Sequence, residues 1–408
     1  NKDIPEKLSE NDYLMKCLMR VLILNNNNLI KPPQSNFEFV GLMINQLIEI
    51  VVIISKNPSN PKFTHYCFEC IGIIANYNSN NNPGFVGSFM EIIIPKFLAI
   101  LGEDIIEFVP YIIQMIAFLL ELLKHASSSS NNNTLPAFYK SLVKPMLSPT
   151  LWEYKGNIPG NTRLIIDMLE FDRSSFNDDL PGLLGVFQKL ISSKVNDSFG
   201  FDLLEIILIH VDLNLLKPYL SQIATLILTR LQNSKTTKFI KRLILFFSKL
   251  ALVDSNFTIK NANVNTLGPD FVTNFVDQLQ ENLFGNIYKT FFITNIQEFH
   301  NVNEKKIVVI GLTNLVCHNA KFTINGPYSS YVVESLNQLF KATVHKSEFF
   351  ANEKAGTAVG VTVSEDLLND FENQDFTFGS SYSRLVIIGT KKFDPISDFN
   401  NKISKRGF

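Results

Sequence analysis

Ile105-Ile-Glu-Phe-Val-Pro-Tyr-Ile-Ile-Gln-Met-Ile-Ala-Phe-Leu-Leu-Glu-Leu-Leu123 is the stretch on which the fold turns. Nineteen mostly apolar residues in a row are enough for a helix to cross a bilayer. Glu107, Gln114 and Glu121 interrupt the run, however, and Pro110 sits within it. An acidic group at the centre of a membrane costs roughly 2.5–3.5 kcal/mol. No Lys/Arg cluster or Trp/Tyr belt flanks the stretch to mark an interface. It reads as a helix of a soluble protein, buried on several sides, and no membrane insertion is expected.

On both sides of it the same pattern repeats: an apolar helical segment, a short polar break, another segment. Leu8–Asn25 carries Leu14, Leu18, Val21 and Leu22 at helical spacing. Pro32-Pro33 and Asn57-Pro58 end elements, and Pro61 opens one reaching about Asn76. Further helices are expected at Phe37–Ser55, Phe85–Leu101, Ile105–Lys124, Leu135–Leu147, Ile158–Glu170, Leu180–Val195 and Phe199–Val211. Leu215–Gln232, Thr236–Val253, Pro269–Leu283, Glu304–His318 and Tyr328–Lys341 continue the series, with room for an extra element at Phe284–Phe299. Two-helix units start near Leu8, Pro61, Ile105, Ile158, Ser198, Lys235 and Asn303, most of them about 37–53 residues apart. That bracket contains the ~40–47-residue period of HEAT and armadillo repeats. The expected fold is all-α, a HEAT-repeat right-handed α-solenoid over residues 1–341. Residues 342–382, with Glu365, Asp366, Asp370, Glu372 and Asp375, read as an acidic insertion, and 383–408 as a C-terminal helical segment of the same solenoid. Asn25–Asn28, Asn78–Asn82 and Ser127–Asn133 read as polar loops between helices.

Composition agrees with stacked, multiply buried helices: 46% of the 408 residues are hydrophobic and only 18% charged. The 37 basic and 38 acidic side chains leave a net charge of −1, so no global field draws the chain to nucleic acid. Four cysteines build no disulfide framework and fit a reducing compartment. The start, Asn1-Lys2-Asp3, has no initiator methionine and reads as internal to a longer chain.

The search for chemistry returns little. Cys67-Phe-Glu-Cys70 lies inside an expected helix, without the strand and helix N-terminus of a redox CxxC. Zinc needs further ligands, and Cys317-His318 stands several repeats away. His65, His125, His210, His300, His318 and His345 belong to no HExxH or triad-like pattern. Pro181-Gly-Leu-Leu-Gly185 lacks the Lys-Ser/Thr of a phosphate loop, and its glycines are expected to permit close helix packing. No catalysis, cofactor or metal is expected. The one distinctive polar segment is Leu231-Gln-Asn-Ser-Lys-Thr-Thr-Lys-Phe-Ile-Lys-Arg242. Lys238, Lys241 and Arg242 fall three and four residues apart on a helix, and with Lys235 they form a candidate basic ridge for an acidic protein partner. An ordinary solvated face fits the same charges.

Residues Leu231–Lys241 (LQNSKTTKFIK) resemble a signature of the exportin-2, or cellular apoptosis susceptibility, family. Four further blocks agree in order: Ser55-Lys-Asn-Pro-Ser-Asn-Pro-Lys-Phe63 with His65-Tyr66, Glu107-Phe-Val-Pro-Tyr111, Trp152-Glu153 with Gly156-Asn-Ile-Pro159, and Pro181–Leu190. The likeness runs from about Ser9 to Lys341 and thins beyond, recovering weakly at Gly389–Pro395. It implies a solenoid that holds importin-α together with RanGTP, shuttles between nucleus and cytoplasm, and is monomeric when free. It also implies a missing N-terminal arch. Two partner-facing sites follow: Lys235, Lys238, Lys241 and Arg242, and a loop with Trp152, Glu153, Lys155 and Asn157 that approaches Ran. Helix pattern alone fits a generic HEAT scaffold equally well.

Overall fold

Some elements start at a side-chain cap. Asn60 accepts from the Phe63 amide (3.1 Å), and Pro61 follows as the first helical residue. Thr236 accepts from the Phe239 amide (3.2 Å), and Asn301 from those of Asn303 and Glu304. The computed structural model describes residues 10–24, 36–82, 84–126, 134–253 and 267–344, together with Leu385 and Ile388. Among these residues there is no strand. The described residues divide into two compact units, one built by residues up to 175 with Leu385 and Ile388, the other by residues from 176 to 344.

The first unit comprises α1 (Asp12–Leu24), α2 (Asn36–Ser55), α3 (Pro61–Asn81), α4 (Phe85–Gly102), α5 (Val109–Ala126), α6 (Ala137–Met146) and α7 (Ile158–Phe171). Its packing is two-layered. Helices α1, α3, α5 and α7 pack in sequence as one layer, α2 packs against α4 as the other, and α2–α3 and α4–α5 close the gap between them. Helices two apart in sequence therefore lie side by side, the arrangement of stacked antiparallel pairs. The second unit repeats it. Here α8 (Leu180–Ile191), α10 (Leu220–Asn233) and α12 (Pro269–Asp277) form one layer, while α9 (Asp197–His210), α11 (Thr237–Leu252) and α14 (Val302–His318) form the other. Between α12 and α14 the chain makes α13 (Leu283–Ile287), a π-turn at Tyr288–Phe292 and a helical turn at Ile293–Asn295, which fill the interval expected to hold an extra element. Helix α15 (Val332–Val344) closes the described part of the second unit.

The stretch Ile105–Leu123 becomes α5, one of two described helices long and apolar enough to cross a membrane, Phe85–Gly102 being the other. Twelve of its side chains, Tyr111 through Leu120 among them, are buried against the protein. The helix begins at Val109, not Ile105, because Pro110 fits the first turn, where its missing N–H costs nothing. A second boundary also moves. Helix α3 continues through the asparagines expected to be a loop, with the Asn78 carboxamide donating to the Ile74 carbonyl (2.7 Å). Asn25–Asn28, Ser127–Asn133 and the acidic segment lie outside the described residues, as do almost all of 383–408. The glycine expectation at Pro181–Gly185 fails: Gly185 faces open space. Close approach falls elsewhere, at Gly200 against the Ile191 backbone and at Gly311 against the Ser248 backbone.

Candidate functional site

The segment Leu231–Arg242 forms the end of α10, the Thr236 cap and the first turns of α11. Phe239, Ile240, Leu243 and Ile244 are the buried stripe of α11, so the basic residues between them divide by their angle to it. Lys235 and Lys238 point to solvent. Lys241 is half-buried; its ammonium donates to the Glu298 carbonyl and lies 5.9 Å from the centre of the Phe299 ring. Arg242 turns inward. Its side chain is 11% exposed, with Nη1 on Glu205 Oε1 (2.6 Å) and Nη2 on Asp202 Oδ1 (2.8 Å), stacked over Phe201. Burial alone would lower the Arg242 guanidinium pKa, and the two carboxylates more than reverse it. The four residues thus make an exposed lysine pair beside an internally committed pair, and only the former is open to a partner.

Arg242 belongs to a polar seam that sequence reading missed. Glu205, 2% exposed, also accepts from Lys249 Nζ (2.8 Å), and Lys249 stands seven residues, two helical turns, beyond Arg242. Asp202 and Glu205 are likewise three apart on α9. A sequence signal existed: an i,i+3 acidic pair on one helix and an i,i+7 basic pair on its neighbour within the layer. The α9–α10 contact carries a further buried pair, Arg230 Nη2 to Asp197 Oδ2 (2.7 Å). In the first unit Arg163 on α7 bonds Glu121 on α5 (2.9 Å).

The second candidate group splits in the same way. Trp152 is buried in a 3₁₀ turn, its indole N–H donating to the Met146 carbonyl (2.8 Å), and Asn157 is buried at the start of α7. Glu153 and Lys155 are exposed and carry the loop's charge. Trp152 thus anchors the loop that presents them.

The remaining chemistry-bearing residues are packed away. Cys67 and Cys70 are buried in α3, and burial raises both thiols. Burial pushes His65 down to about 3, so its ring is neutral at physiological pH. Among the described residues no group of three or more His, Cys, Asp or Glu side chains could hold a metal.

Comparison with known proteins joins these features to a lineage. The family described as CAS/CSE protein, C-terminus, matches residues 3–404. The importin alpha re-exporter of Saccharomyces cerevisiae is 40% identical over 98% of this chain and 37% of its own length. That of Schizosaccharomyces pombe is 35% identical over 96% of this chain and 37% of its own. Human exportin-2 is 33% identical with the same coverage of each chain. A solved structure of the exportin Cse1 in its cargo-free, cytoplasmic state aligns with a TM-score of 0.74 at 34% identity, over 99% of this chain and 38% of that one. The chain therefore spans little more than a third of these relatives. Its two-layered helix pairs are HEAT repeats, and it belongs to the CAS/CSE family, over the portion described as that family's C-terminus.

Proposed function

We propose that this chain is the C-terminal portion of a nuclear export receptor that binds importin-α together with RanGTP and returns importin-α to the cytoplasm. The observation that carries the reading is 40% identity, over nearly the whole chain, to a protein named for re-exporting importin-α. The receptor shuttles between nucleus and cytoplasm and acts by binding, without catalysis or cofactor. Its stacked helix pairs supply the binding surfaces.

The mechanism is linkage. If cargo and RanGTP each favour the same arrangement of the repeats, each raises the affinity for the other by the same factor. Stacked pairs suit this role, because each repeat touches only its neighbours and small inter-repeat adjustments accumulate. Lys235 and Lys238 supply exposed positive charge to an acidic partner surface, and Glu153 and Lys155 a mixed one. Lys241 and Arg242 hold the first turns of α11 in place behind that pair.

Charge reversal at Lys235 and Lys238 in the complete receptor tests this division. We expect the affinity for importin-α in the presence of RanGTP to fall roughly tenfold, mostly through the association rate and less at high salt. Helicity and melting temperature should not change, since neither lysine is packed. Unaltered affinity would remove the lysine pair from the interface.

A further inference from the structure

Leu385 and Ile388 lie more than two hundred residues beyond the helices they touch, yet each is only 1% exposed. Both are held on the layer formed by α3, α5 and α7. The Leu385 amide donates to Gln114 Oε1 (3.0 Å) on α5. That carboxamide is itself oriented, because its Nε2 donates to the Pro110 carbonyl (2.8 Å). The Ile388 carbonyl accepts from Arg163 Nη1 on α7. Arg163 is fixed in turn by Glu121 (2.9 Å) and Asp167 (3.5 Å) and by the Phe118 ring. On α3, Gly72 makes room: a Cβ there would stand 2.6 Å from Ile388 Cγ2 and 3.9 Å from Met115 Sδ.

Short-peptide recognition draws on contacts of the same kind. An acceptor meets one main-chain N–H, a cation meets the C=O three residues later, and two aliphatic side chains are buried. The polar groups are set in advance by bonds to their own helices, so little ordering is required when the segment arrives. We propose that the groove bounded by Gly72, Gln114 and Arg163 is a peptide-recognition site. The chain's own Leu385 and Ile388 occupy it as a tethered ligand, and a separate peptide with the same leucine–isoleucine spacing takes their place when they are withdrawn.

The test uses the 408-residue chain and a fluorescein-labelled, end-capped peptide of residues 383–390, SRLVIIGT. In a chain carrying Leu385→Asp and Ile388→Asp the groove is vacated, and the peptide should bind saturably. Binding to the unaltered chain should be at least about tenfold weaker, because a tethered occupant competes at high effective concentration. A peptide with aspartate at the Ile388 position should not bind, and adding Gly72→Leu to the vacated chain should abolish binding. The proposal fails if the folded variant does not bind the peptide, if both chains bind it equally, or if the aspartate peptide binds as well. Should the variant lose helicity, amide exchange in the unaltered chain decides. Exchange at Leu385 about tenfold or more faster than at the α5 core amides supports withdrawal without unfolding; equal rates overturn the proposal.

Discussion

Glu205→Ala is expected to destabilise the second unit by about 3–5 kcal/mol, the cost of breaking a buried ion pair from one side. Glu205 is the shared counter-charge of Arg242 and Lys249, which are 11% and 4% exposed. Its loss strips one carboxylate from each of two cations that cannot move to water without opening the α9–α11 contact. Asp202, 19% exposed beside Arg242, retains one bond and sets the lower end of the range. Urea unfolding followed by far-UV circular dichroism measures the change, and the thermal midpoint should fall by about 6–20 °C for a unit of this size. Replacing Glu205, Arg242 and Lys249 by methionine together with Asp202→Asn, so that no carboxylate is left unpaired, should recover most of the loss, since well-packed apolar side chains often match or exceed a buried ionic cluster. An alanine variant within about 1 kcal/mol of the parent would mean that water reaches the seam and shares its charge.

Gly311→Ala is expected to cost about 1–3 kcal/mol, despite the roughly 1 kcal/mol that alanine gains over glycine in a helix. Helices α11 and α14 meet there with backbone almost against side-chain-free backbone. A Cβ on Gly311 would stand 2.8 Å from the Ser248 carbonyl carbon and Cα, and closer still to the oxygen. Backbone cannot swing aside as a flexible side chain can. Gly185→Ala supplies the opposite case: nothing lies within 4 Å of its new methyl, and α8 should gain about 0.5–1 kcal/mol. Chemical denaturation of both variants checks the pair. Stabilisation of both variants would mean that helix propensity, and not the α11–α14 approach, governs these positions.

These expectations mark where the sequence was informative. Helix number and order were legible because burying a stripe leaves a 3.6-residue rhythm, as in Leu14, Leu18, Val21 and Leu22. The start of α5 was misplaced because the apolar pattern extends upstream of Pro110, while only the backbone decides where helical bonds begin. Asn78 reads as a loop former, yet inside α3 its side chain bonds the Ile74 carbonyl and the helix continues past it. The basic ridge was half legible. Spacing put Lys238, Lys241 and Arg242 near one face, but which of them turns inward depends on Asp202 and Glu205, some forty residues earlier on another helix. Trp152 and Asn157 drew attention through the loop's family resemblance, and burial assigns them to holding that loop. Leu385 and Ile388 left no readable trace, because two anchors produce no period and their partners are scattered over three helices.

The proposed function requires repeats that grip importin-α cooperatively with RanGTP. Its most direct test is the affinity of importin-α for the complete receptor and for residues 1–408 alone, each with and without RanGTP. The complete receptor should show a coupling of about 5–150-fold, whereas residues 1–408 alone should bind weakly and almost independently of RanGTP. Tight, strongly RanGTP-coupled binding by residues 1–408 alone, or a complete receptor indifferent to RanGTP, would contradict it.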